Sequence, residues 1–234
     1  METKKEKFDF INGAIILIDK PYRWTSFDVV KKIRKLIRDK YEIKKIKVGH
    51  AGTLDPLATG LIIVCTGKMT KKISDLQSLH KEYVATIKLG ETTPSYDLET
   101  GKDRTYETSH ITRELVENTI SQFIGIIEQI PPLYSAKLID GRRAYEYARK
   151  GDKSKLLAPS KVKIHSLSIM KLDLPELVVH VKCGKGTYIR SLARDIGEAL
   201  QSGGHLTDLR RTAIGPFSVE DALSIEEFKK KIIL

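Results

Sequence analysis

The chain has 234 residues, 41% of them hydrophobic, and 41 Lys and Arg face 30 Asp and Glu, for a formal net charge of +11. That length supports one elaborated domain or two small ones, and the cation surplus points to a polyanionic partner, nucleic acid first and an anionic membrane second, unless it reflects a generally lysine-rich proteome. Two cysteines, Cys65 and Cys183, with no C-x-x-C spacing exclude a structural zinc site, and the lack of any run near eighteen apolar residues excludes a membrane-spanning helix, so a cytoplasmic protein with buried free thiols is expected.

In chain order, GAIILIDKP (Gly13 to Pro21) reads as a buried strand entering a turn. TSFDVVKKIRKLIRDK is a helix with Ser26 as its N-cap and an apolar face of Val29, Val30, Ile33, Leu36 and Ile37. GHAGTLDPLATG follows as a glycine-rich loop. Its single carboxylate, Asp55, lies between Gly49 and Gly60, beside His50, Thr53 and Thr59. Pro56 biases Asp55 toward an extended backbone. A loop aspartate is commonly a turn former or a cap, and composition does not choose between that and an active site.

A strand over Leu61 to Thr66 and an amphipathic helix from about Thr70 to Leu79 come next. KEYVATIKLG is a strand, TTPSYDLETG a loop, and ITRELVENTISQF a helix with Leu115, Val116, Ile120 and Phe123 on one side. PPLYSAKLIDGRRAYEYARKG starts extended, turns at Asp140-Gly141 and ends helical. KVKIHSLSIMKL and ELVVHVKC are strands parted by the Asp173-Leu174-Pro175 turn. GTYIRSLARDIGEAL is a helix with Thr187 near its start, and LTDLRRTAIGPFSV returns as a strand. With no repeat and no linker, this mixture predicts one α+β domain of catalytic size on a largely antiparallel or mixed sheet.

The common nucleotide and hydrolase motifs are missing: no G-x-x-x-x-G-K-[ST], no G-x-G-x-x-G opening a helix, no G-x-S-x-G and no H-E-x-x-H. The six histidines, at 50, 80, 110, 165, 180 and 205, never fall at helical metal-ligand spacing. ATP, dinucleotide and zinc chemistry are unsupported, and no metal ligands are expected.

GHAGTLDPLATGLIIVCTG, HKEYVATIKLG, IPPLYSAKLIDGRRAYEYARKG and GKGTYIRSLARDIGEAL with GGHLTDLRRTAIGPF occur in that order. Together they closely resemble the bacterial tRNA pseudouridine synthases of the TruB type, which act on uridine 55 of the T-loop. LIDKPYRWTSFDVV fits the same family, so the resemblance runs from Gly13 to Asp221. It implies the pseudouridine synthase fold, an α+β architecture with a mixed, mostly antiparallel sheet and flanking helices. It also implies the T-arm stem-loop of tRNA as partner, with no membrane and no cofactor, and a cytoplasmic monomer is expected. The isomerisation breaks the C1′–N1 bond, turns the uracil and joins C1′ to C5. That needs a carboxylate near the sugar or base; a glycosidase would present two carboxylates, whereas this loop has one.

By the resemblance Asp55 is the catalytic nucleophile. Tyr83 stacks on the target uracil and can serve in proton removal at C5. Arg190 pairs with the catalytic aspartate, Tyr188 and Leu209 line the base pocket, and His50 contacts the RNA where the nucleotide is extruded. Read alone, Tyr83 and Leu209 suit core packing and His50 a solvated loop. Lys137, Arg142, Arg143, Arg149 and Lys150, interleaved with Tyr134, Tyr145 and Tyr147, suit an RNA clamp in the family and a solvated helix face otherwise. Lys20 is expected to support the site floor without a catalytic role. Two departures are Tyr22-Arg23-Trp24 in place of a glycine turn, and the expected absence, over residues 1–234, of the C-terminal PUA-type domain of larger members. The rival of a different class is a T-arm RNA-binding module or tRNA folding chaperone without chemistry; Asp55, Tyr83 and Arg190 together disfavour it. A closer rival keeps the chemistry on another RNA. Activity on tRNA is expected to survive a chelator and exhaustive dialysis. Loss restored by a divalent ion, with the RNA still folded, contradicts this.

Overall fold

The computed structural model describes residues 8–135, 137–139, 141–150 and 157–233. The chain opens with β1 (Ile15–Lys20), α1 (Ser26–Tyr41), β2 (Val48–His50) and β3 (Thr59–Thr66), then a 3₁₀ turn (Gly67–Lys72) and α2 (Ile73–Ser78). Next come β4 (Lys81–Leu89), the short strands β5 (Glu91–Thr92) and β6 (Arg104–Thr105), α3 (Arg113–Ser121) and β7 (Gly125–Gln129). The short strands β8 (Leu138–Ile139) and β9 (Arg142–Arg143) lead to α4 (Ala144–Arg149), β10 (Ser160–Asp173) and β11 (Glu176–Cys183). The last elements are α5 (Ile189–Ala199), β12 (Gly204–Ile214), β13 (Phe217–Ser218) and α6 (Ile225–Ile233). They divide into two compact units, Met1–Lys81 with Arg210–Leu234, and Glu82–Leu209.

In the first unit β3 is the organising strand. It pairs antiparallel with β1, from Ile15 opposite Cys65 to Lys20 opposite Gly60, and parallel with β12 at Arg210 and Arg211. β2 adds to β3 and β13 to β12, both antiparallel, so the sheet is mixed. Leu61 through Cys65 are fully buried because β3 packs on both faces. Ile62 and Val64 join Val29, Val30, Ile33 and Ile37 of α1 with Ile225, Phe228 and Ile232 of α6; Leu61, Ile63 and Cys65 join Leu76, Ile214 and Val219. A strand covered on both faces requires the continuous apolar run seen in the sequence. Gly60 has a φ of +103°, and a Cβ there would lie 2.3 Å from the carbonyl oxygen of Arg211. Any side chain would force β12 away from β3.

The apolar face expected for α1 is the buried one at Val29, Val30, Ile33 and Ile37. Its cap, however, is Thr25 and not Ser26. Thr25 Oγ1 accepts the Asp28 N–H at 3.0 Å and the Asp28 carboxylate accepts the Thr25 N–H at 3.0 Å, a capping box. α6, which the sequence reading passed over, starts the same way: Glu227 accepts the Ser224 N–H at 2.8 Å and Ser224 Oγ accepts the Glu227 N–H at 3.2 Å. The helix expected from Thr70 is in fact the 3₁₀ turn followed by α2.

In the second unit the strand order is β4-β11-β10-β7, with β10 antiparallel to both β11 and β7. The expected turn at Asp173-Leu174-Pro175 joins β10 to β11. Alternation along β4 turns Tyr83 to the buried side. On α3, Val116 and Ile120 are buried as expected, but Leu115 is exposed and Thr119 takes the inward place. Of the expected Asp140-Gly141 turn, Asp140 lies outside the described residues. Phe228, in contact with Phe8 and Phe10, is the largest fully buried apolar side chain among the described residues of the first unit. Phe228→Ala is expected to cost about 3–5 kcal/mol in urea denaturation; an unchanged midpoint contradicts the packing.

Candidate active site

Asp55 lies in the loop between β2 and β3, half-buried, with its carbonyl accepting the Ala58 N–H at 3.1 Å. The backbone around it is held by three buried side chains from three elements. Arg211 of β12 donates Nη2 to the Gly52 carbonyl and Nη1 to the Thr53 carbonyl, both at 3.3 Å, and Nε to the Leu61 carbonyl at 2.7 Å. Ser26, at the start of α1, accepts the Leu54 N–H at 2.8 Å and donates to the Leu54 carbonyl at 3.1 Å. Lys20, at the end of β1, donates Nζ to the carbonyls of Trp24 (2.6 Å), Pro21 (3.1 Å) and Pro56 (3.3 Å). The Pro56 carbonyl also accepts the Arg23 N–H at 2.8 Å.

Lys20 is completely buried and Arg211 is 1% exposed, so two cations sit out of solvent against the backbone of the loop that carries Asp55. Burial pushes the Lys20 ammonium down to about 8, and the charge of Asp55 acts against that shift. Beside them Arg210 forks onto Asp19 at 2.7 and 3.1 Å. His50 is half-buried; burial lowers its pKa below the usual imidazole value, which favours the neutral ring, and its buried Nδ1 has no hydrogen-bond partner among the described residues.

The second unit holds the other expected residues. Arg190, 4% exposed, donates Nη1 to the carbonyls of Tyr134 (2.9 Å) and Ser95 (3.4 Å), and lies 3.6 Å from Asp97 Oδ2. Asp97 is held in turn. Its Oδ1 accepts the Glu99 N–H at 2.9 Å, and its carbonyl accepts the hydroxyls of Thr93 (2.7 Å) and Ser95 (3.2 Å). The TTPSYDLETG segment, read from sequence as a plain loop, therefore supplies a buried carboxylate partner for Arg190. The signal was there in its run of Ser, Thr and Asp, which bond to one another's backbone.

Tyr188 caps α5 with its backbone alone: its N–H donates to Gln129 Oε1 at 2.8 Å and its carbonyl accepts Gln129 Nε2 at 3.1 Å. Thr187 does not cap the helix; it donates to the Gly184 carbonyl at 3.0 Å. Tyr83 and Leu209 are both 8% exposed. In the expected clamp segment Arg149 lies 5.4 Å over the Tyr145 ring and pairs with Glu99 at 3.1 Å, while Arg142 and Arg143 are exposed. The structure thus places Asp55 and His50 in the first unit with Lys20 and Arg211, and Tyr83, Tyr188, Arg190 and Leu209 in the second.

Residues 38–189 match the model of the TruB family pseudouridylate synthase N-terminal domain, and residues 190–234 that of the tRNA pseudouridylate synthase B C-terminal domain. The chain belongs to the TruB family. It is 57% identical to the tRNA pseudouridine synthase B of Phocaeicola vulgatus, over 94% of this chain and 93% of that one. With the tRNA pseudouridine synthase B of Bacteroides thetaiotaomicron the identity is 55%, over 96% and 95%. Among solved structures, a Cbf5-Nop10-Gar1 complex matches with a TM-score of 0.69 and 26% identity over 95% of this chain. An H/ACA RNP bound to a substrate RNA containing 2′-deoxyuridine gives 0.66 and 26% over 94%. This TruB-family chain spans 60% and 53% of those two solved chains. The likeness bears out the α+β pseudouridine synthase fold expected from sequence.

Lys20 supplies a pH test of the buried site. Its folded-state value, about 8, lies below the ordinary 10.5, so between those values the unfolded chain binds more protons and this group's contribution to stability rises with pH. Below about pH 8 the contribution is constant. The stability difference between wild type and Lys20→Met is therefore expected to be flat from roughly pH 6 to 7.5 and to move in favour of wild type from about pH 8 to 10. Curves that stay parallel throughout contradict a buried, shifted ammonium.

Proposed function

We propose that the chain isomerises uridine to pseudouridine at position 55 in the T-loop of tRNA, with Asp55 as nucleophile. The observation that carries this reading is the loop itself: a half-buried carboxylate whose neighbouring backbone groups are tied down by buried side chains. A turn-forming aspartate has no need of such support.

The net reaction breaks C1′–N1, forms C1′–C5 and moves one hydrogen from C5 to N1. Water is not consumed and no electrons are gained or lost, so a carboxylate and a pocket for the detached base suffice. Tyr83 serves the base and proton removal, Arg190 orients the reacting groups, and Tyr188 and Leu209 line the base pocket. His50, its neutral ring favoured by burial, contacts the RNA where the nucleotide leaves the stack.

That the substrate is tRNA is supported by the relatives named tRNA pseudouridine synthase B. Charge supports it too. The unit that carries Asp55 has 23 Lys and Arg against 13 Asp and Glu, whereas the other has 18 against 17, so phosphate attraction concentrates on the Asp55 side. The proposal extends to the T-arm as the recognised element, and to a cytoplasmic monomer working as a single catalytic domain. No helix among the described residues is long and apolar enough to cross a membrane.

Asp55→Asn keeps size and removes the charged oxygen. Single-turnover formation of pseudouridine on unmodified tRNA is expected to fall by at least about 10³-fold, with RNA affinity unchanged or slightly tighter. Arg190→Ala is expected to slow product formation with binding largely kept. Pseudouridine made at a comparable rate by Asp55→Asn would sink the assignment, and a wild type that binds tRNA as both variants do but makes no pseudouridine would favour the binding-module reading.

A further inference from the structure

We propose that Ser26 and Arg211 are positioning residues for the Asp55 carboxylate, acting on the peptide planes that lead into it. The inference rests on the reading of Asp55 as nucleophile. The peptide unit is planar, so holding one of its edges fixes the other. The unit joining Thr53 to Leu54 is held at both edges: Arg211 takes the Thr53 carbonyl and Ser26 the Leu54 N–H. The next unit contains the Leu54 carbonyl and the Asp55 N–H, and Ser26 holds that carbonyl. One hydroxyl therefore acts as acceptor and donor on the two units flanking Leu54.

Downstream, Pro56 restricts Asp55 toward an extended conformation, the Asp55 carbonyl accepts the Ala58 N–H, and the Pro56 carbonyl is held by Lys20 and Arg23. Ser26 is not required for the helix it begins, because Thr25 and Asp28 already form the capping box. Its hydroxyl is 3% exposed with the residue and bonds only to Leu54 among its described partners. Arg211, equally buried, spends all three described donors on carbonyls of this loop and of the strand that leaves it.

The test compares Ser26→Ala, Arg211→Lys and Asp55→Asn in the full chain, measuring single-turnover pseudouridine formation, tRNA affinity and urea stability. Ile33→Val, in the buried face of the same helix, serves as the stability control. Misplacing a reacting group by about 1 Å costs on the order of 10²-fold. Ser26→Ala and Arg211→Lys are therefore expected to lose roughly 10- to 100-fold in rate with affinity within about twofold. Ile33→Val is expected to lose stability and keep its rate. If Ser26→Ala fails to fold, Ser26→Cys replaces it, with a smaller loss in the same sense. Ser26→Ala at wild-type rate beside an inactive Asp55→Asn overturns the positioning role and leaves the nucleophile standing. An active Asp55→Asn overturns the nucleophile. A rate loss matched by lost affinity, or shared by Ile33→Val in proportion to stability, reduces Ser26 to a structural part and overturns the proposal.

Discussion

Two cations buried beneath one loop set the terms for the first unit. A charge out of water is tolerated only where hydrogen-bond partners and a counter-charge replace its hydration. Lys20 and Arg211 meet that condition with six backbone carbonyls, and the charge of Asp55, ahead of Asp19 and Asp28, opposes the shift of Lys20. The requirement acts in both directions. The cations need the carbonyls of Gly52, Thr53, Pro56 and Leu61, and those carbonyls, drawn inward by the loop's path, need the cations. β1 and β12 flank β3 and deliver one cation each, and Gly60 allows the close approach of β12.

The second unit solves a similar problem with neutral groups. Gln129 clamps the backbone of Tyr188 at both N–H and carbonyl, two residues before Arg190, much as Ser26 clamps Leu54 one residue before Asp55. In each case a buried side chain with both donor and acceptor grips a single residue. Arg190 then finds Asp97, fixed by its own loop.

Much of this was legible from the sequence, and the misses share a cause. The apolar run of β3 and the face of α1 follow from periodicity and were read correctly. Asp55 stood out because the motif around it is specific. Ser26 was misread because cap preference is a statistical rule, and Thr25 with Asp28 satisfied it one residue earlier, leaving the serine to another task. The same three-residue spacing, Ser224 to Glu227, announces α6 and was overlooked. Leu115 was assigned inward because it is apolar, while the smaller Thr119 occupies that position. Gln129 and Arg211 could not be found by local pattern at all, since their partners lie far away in sequence; the loop of Asp97 carried a local signal in its Ser, Thr and Asp residues, but its partner Arg190 is equally distant. Contacts of that range are fixed by the tertiary structure and leave little trace in neighbouring residues.

β3 is buried on both faces, and this has a mechanical consequence. A strand that faces one core can slide or tilt when that core relaxes; one wedged between two cannot yield to either without disturbing the other. The loop that carries the carboxylate therefore runs directly into a strand covered on both faces. Any mutual adjustment between enzyme and nucleic acid must come from elsewhere.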